Sequence, residues 1–124
     1  WAFQINGDAS TTGIGLYFDH LSATSAYSGF GRNFTISQQV WHHVAVVRKN
    51  GSMSFYFNGA LQGPSGTMDK NLISESSAAI WIGAQNAGTY PHYFNGYLHD
   101  LRVTKGVARY TADFTVPKGF LPTK

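Results

Sequence analysis

Glycoside hydrolysis needs two carboxyl groups about 5–10 Å apart across the sugar bond. Of its 124 residues, this chain has one glutamate, Glu75, and five aspartates, Asp8, Asp19, Asp69, Asp100 and Asp113. No acid stands two or four residues from another, so no strand can present a pair of them on one face. The expectation is therefore a protein that is not an enzyme. The five histidines give no metal spacing either. His42 and His43 are adjacent, and in a strand they point to opposite faces. There is no cysteine, so thiolate zinc sites, cysteine nucleophiles and disulfides are excluded. Calcium takes loop carboxylates and backbone carbonyls, and Asp8, Asp19 and Asp69 are its candidates, each read as lying in a loop. The same three residues also serve as simple turn-formers.

The residues best suited to binding are aromatic. Most of the aromatics, Trp1, Phe3, Phe18, Trp41, Phe55, Phe57 and Trp81 among them, are assigned to core packing. The stretch Gln85–Tyr93 is too polar for a strand and carries Tyr90, His92 and Tyr93 beside the amides of Gln85 and Asn86. Exposed aromatics with planar amides at a loop tip suit contact with a glycan or a protein. The competing role is a staple, with Tyr93 and Phe94 tucked back to hold the loop. Tyr27 and Phe30 form a second, weaker patch.

These residues must be positioned by strands. Short runs rich in Val, Ile, Phe, Tyr and Trp alternate with Gly, Asn, Ser and Asp, and helical periodicity is missing. Trp1–Asn6 and Ile14–Phe18 alternate as half-buried strands. Asp19–Gly31 reads as a loop with room for one weak strand, and Phe34-Thr35-Ile36 as a short strand. His42–Arg48 is apolar on both faces, as a central strand should be. Asn50-Gly51 and Asn58-Gly59 are strong hairpin signals on either side of Met53–Phe57. Ala79–Gly83 and Tyr97–Val103 close the set of strands. The expected fold is all-β, a two-sheet antiparallel β-sandwich, in one domain over residues 1–124 with 104–124 lying along its surface.

Charged residues make up only 12% of the chain, and the net charge is +3. No basic run or stripe is present beyond Arg102, Lys105 and Arg109, which argues against a nucleic-acid partner. No apolar run approaches the roughly 18 residues of a membrane span. The sequence opens on Trp1 rather than Met, so a fragment or a processed product is expected.

Four motifs in order, Trp41–Arg48, Phe55–Gly59, Ile80–Gly83 and Phe94–Val103, resemble the C-terminal half of laminin-G-like, concanavalin A-like jelly rolls. Thr104–Phe114, followed by Pro117, resembles a C-terminal signature of phage and environmental bacterial members. His99-Asp100 stands where that family often has Asp-Glu. The resemblance implies a jelly roll whose N-terminal strands are missing, lie in a longer chain, or come from a partner. It implies a non-catalytic, lectin-like adhesion module, outside a cell or on a virion, engaging a surface glycan. The alternative it implies is a structural decoration or cement protein of a phage particle, contacting neighbouring virion subunits within an oligomer. Low charge and abundant aromatics fit that alternative too.

Overall fold

A computed structural model describes residues 2–7, 14–21, 27–34, 36–37, 39–63, 66–67, 82–85 and 92–119. Residues 2–7, 14–21, 27–31, 33–34, 85 and 92 are described by their backbone alone. All regular structure among the described residues is antiparallel β. No helix among them is long and apolar enough to cross a membrane. The chain divides into two compact units, Trp1–Ile73 with Thr104–Pro117, and Ser74–Val103 with Lys118–Lys124.

The first unit holds two sheets. Strands β1 (Ala2–Gly7), β2 (Ile14–Leu21) and β3 (Tyr27–Phe34) form one, in the order β1-β2-β3. Its register places Phe3, Phe18 and Phe30 on one rung and Ile5, Leu16 and Arg32 on another. The apolar alternation of the first two strands thereby fixes the pairing, because a one-residue slip would invert both faces. The loop expected over Asp19–Gly31 is a correction: β2 runs on to Leu21 and β3 begins at Tyr27. Ser and Gly are poor strand formers, but the ladder to a central β2 outweighs local propensity. The strand expected at Phe34-Thr35-Ile36 is the end of β3, which stops at Phe34. Thr35 lies outside the described residues, and Ile36 follows the strand.

Strands β4 (Val44–Lys49) and β5 (Ser52–Phe57) form the heart of the second sheet, with β6 (Ala60–Leu61) and β7 (Gly66–Thr67) along the other edge of β5. Both Asn-Gly pairs make the expected two-residue turns. Asn50 and Gly51 have φ of 49° and 77°, and Asn58 and Gly59 have 50° and 85°. Left-handed backbone at both positions is what a type I′ hairpin requires. The core sits on β5, where Met53, Phe55 and Tyr56 are buried. Met53 and Phe55 lie on one face of the strand and Tyr56 on the other, so both faces are covered. Trp41, assigned above to the core, is instead 67% exposed. It precedes β4 and has no rung in the ladder to hold it inward.

Thr104–Pro117 lies against this sheet at the second Asn-Gly turn. Phe114 N–H donates to Gly59 O (2.9 Å), and Leu61 N–H donates to Asp113 Oδ1 (2.8 Å). The rings of Tyr110 and Phe114 stack at 3.7 Å and 9° and approach Tyr56. Gly59 is buried here, and a Cβ on it would collide with the Phe114 carbonyl. At the far end of β3, Arg32 Nε donates to Gln62 O (3.1 Å), with Gly63 beside the guanidinium.

In the second unit, β8 (Ala84–Gln85) pairs with β9 (His92–Tyr93). The strand expected at Ala79–Gly83 is not found where it is described: 82–83 form a bend, and 79–81 lie outside the described residues. Tyr97–Val103 is a second correction. It pairs in no ladder among the described residues, and Leu98, Leu101 and Val103 are exposed. Asp100 at φ 53° interrupts the extended backbone, a conformation Asp tolerates and strands do not.

Candidate functional site

The β8–β9 hairpin sets the Cα atoms of Gln85 and His92 opposite each other, with Ala84 opposite Tyr93 one rung further on. Phe94 N–H donates to Gly83 O (2.8 Å), which extends the hairpin past β9. Gln85, His92 and Tyr93 are thus gathered at the base of the loop. Asn86 and Tyr90 lie outside the described residues. Tyr93 does not tuck back as a staple, since it is 76% exposed. Phe94 is exposed as well, at 43%. It lies over Gly96, where a Cβ would come within 2.8 Å of its Cε1.

Tyr97 follows this group in the chain and was not among the expected binding residues, because Tyr97–Val103 reads as a strand. It is 87% exposed, four residues from Tyr93, with exposed Asn95 between them. The signal that locates it is Asn95-Gly96, a turn dipeptide ahead of Tyr97. Two open phenol rings, a third ring seated on glycine and a nearby amide combine apolar faces with hydrogen-bonding groups.

Asp113 and Asp100, the two acids whose side chains are described, each have a partner of their own. Asp113 spends Oδ1 on Leu61 N–H, and Asp100 Oδ2 lies 3.7 Å from His99 Nδ1. Asp19, read above as a loop residue, is a correction in its backbone: it sits inside β2, paired with Ala2 and Gly29. Asp8 and Asp69 lie outside the described residues. Among the described residues no three His, Cys, Asp or Glu side chains gather as a metal site.

His42 and His43 part company as the strand geometry requires. Asn58 Nδ2 donates to His42 Nδ1 (3.1 Å), so His42 is the Nε2–H tautomer and donates to Ser37 O (3.0 Å). Its ring leans on Phe57. His43 N–H donates to Asn58 Oδ1 (2.9 Å), and Asn58 N–H donates to His43 O (2.8 Å). The His43 ring turns to Tyr110 and Phe114, and burial holds its pKa below the usual 6.5.

A laminin-G family model, described as the concanavalin A-like lectin/glucanases superfamily, matches residues 1–109. The chain belongs to that superfamily. No curated protein and no solved structure shows significant similarity to it. The strand-only antiparallel architecture agrees with membership of the concanavalin A-like group, and the match covers both sheets and the β8–β9 hairpin.

Proposed function

We propose that this concanavalin A-like domain is a non-catalytic glycan-binding or adhesion module whose site is the Gln85–Tyr97 hairpin. The observation that carries the reading is the exposure of Tyr93 and Tyr97 on either side of Phe94 and Asn95. A pyranose ring has an apolar C–H face that covers an aromatic ring and a rim of hydroxyls that bonds amides. Buried between water and a flat phenol, that face gains from the hydrophobic effect. Absence of an acid pair in the sequence supports binding without hydrolysis.

The setting we propose is the outside of a cell or a phage virion. Its support is the resemblance of Thr104–Phe114 to phage and environmental relatives, an argument from family rather than from chemistry. A second reading has the domain decorating or cementing a virion through protein contacts. The exposed Leu98, Leu101 and Val103 favour it, since apolar side chains concentrate in interface cores.

A glycan array probed with the purified chain, with calcium and with EDTA, tests the first reading. Saturable binding that weakens in Tyr93→Ala and Tyr97→Ala supports it. Saturable binding untouched by either substitution moves the site elsewhere. No binding by folded protein, with self-association at micromolar concentration, supports the second reading.

A further inference from the structure

His43 is tied by its backbone and left unsatisfied at its side chain. Its N–H and C=O both bond Asn58, while Nδ1 is buried with no hydrogen-bond partner. The ring centroid lies 5.4 Å from Phe114 and 5.9 Å from Tyr110, at 79° and 84° to their planes. Those two rings are 3.7 Å apart. The three centroids therefore form a triangle in which His43 sits beside the stack, level with the ring edges and not over a face. Ring edges carry the positive end of the aromatic quadrupole. An imidazolium placed there has its Nδ1–H cut off from water and gains no cation–π attraction, which needs a ring face.

Among the described residues, the surrounding groups offer it no counter-charge. From the segment Thr104–Pro117, Tyr110 presents its ring, Asp113 is bonded to Leu61 N–H, and Arg109 Nε donates to Thr104 Oγ1 (3.1 Å). From β5, the same face carries Tyr56 and Ser54. On its own strand, His42 points the other way with both nitrogens bonded. No carboxylate among the described residues pairs with His43.

We propose that His43 is a proton-sensitive latch: neutral, it seats Tyr110 and Phe114 on the β4–β5 sheet, and protonated, it releases the segment Thr104–Pro117. The sign follows from burial, which holds the docked imidazole below its ordinary 6.5. Above that pH docking is complete. Below it, the released state takes up a proton that the docked state refuses. Docking then weakens by up to about tenfold per pH unit until the docked pKa is reached.

Amide hydrogen exchange of Phe114 and Leu61, corrected for intrinsic rates, tests this between pH 7.5 and 5.0, above the usual carboxylate range. The expected result is that both amides open more readily than the β4–β5 ladder. Their protection should fall by up to about tenfold per unit below pH 6.5, in the parent and in His42→Gln, and stay flat in His43→Phe. Exchange of both amides together with the ladder, or an unchanged pH dependence in His43→Phe, overturns the latch. Should His43→Phe fail to fold, the ring protons of the parent decide. They must titrate below 6.5 and in step with the Phe114 amide shift, and titration at or above 6.5 refutes the proposal.

Discussion

Replacing Gly59 with alanine adds one methyl group where two demands meet. The residue has φ 85°, and a Cβ would run into the carbonyl of Phe114, whose own N–H donates to Gly59 O. A left-handed alanine costs about 1–2 kcal/mol. The collision pushes the segment away, at about 1 kcal/mol for the hydrogen bond and about 1 kcal/mol more for the aromatic contacts that retreat with it. The expected loss is about 3–4 kcal/mol, a large share of the 5–15 kcal/mol typical of a domain. Gly106→Ala is the internal control. Gly106 has φ 86°, the same backbone demand, with nothing within 4 Å of its Cβ position. It should lose only the first part, about 1–2 kcal/mol. The unfolded-state entropy gained on replacing glycine is common to both and cancels in the comparison. Urea unfolding gives the two midpoints, and a loss of this size in Gly59→Ala lowers Tm by about 10 °C or more. Equal losses in the two variants would show that Gly59 is kept for its turn alone and that the close approach to Phe114 carries no energy.

Asp113→Ala should cost about 0.5–1.5 kcal/mol by removing the exposed bond to Leu61 N–H, with Asp113→Asn recovering part of it, as read by chemical denaturation. Asn58→Ala should destabilise by about 2 kcal/mol and Asn58→Gly by less, since glycine keeps the left-handed turn while losing the clamp on His42 and His43. Tyr93→Ala and Tyr97→Ala should each weaken glycan binding by roughly threefold to tenfold and leave Tm unchanged, because both rings are exposed. Isothermal titration reads the first quantity and calorimetric scanning the second. Global stability should decline as pH falls through 6.5 and level off below the pKa of folded His43, a trend that equilibrium unfolding in buffers from pH 8 to 5 would detect.

The parts of the fold that could be read in advance are those with a local cause. Asn50-Gly51 and Asn58-Gly59 force positive φ wherever they sit, so the two turns and the β4–β5 pairing followed from four residues. Met53 and Phe55 alternate in the sequence and are both buried on one face, but Tyr56, buried on the other face, breaks the alternation. Tyr27–Phe34 was illegible because its composition is that of a loop and its stability comes from a neighbour, β2. Tyr97–Val103 misled in the opposite sense. Its residue types suit a strand, but a strand needs a ladder partner, and no residue type reveals whether one is present. The same limit hid Tyr97 as a binding residue and Asp19 as a ladder residue. It also hid the docking of Tyr110 and Phe114, whose contacts join residues more than fifty positions apart.

That separation has a consequence for how the molecule is made. Leu61 meets the carboxylate of a residue 52 positions later. A ribosome adds about 5–20 residues per second, so roughly three to ten seconds pass between synthesis of the Asn58-Gly59 hairpin and synthesis of the segment that covers it. Through that interval Tyr56 on the nascent sheet lacks the rings of Tyr110 and Phe114 that pack against it. Contacts this distant in sequence are also the slow ones to close. The hairpin pairs residues close in sequence but waits for a segment made some fifty residues later, which makes its Tyr56 face a natural place for a chaperone to hold and for unfinished chains to stick to one another.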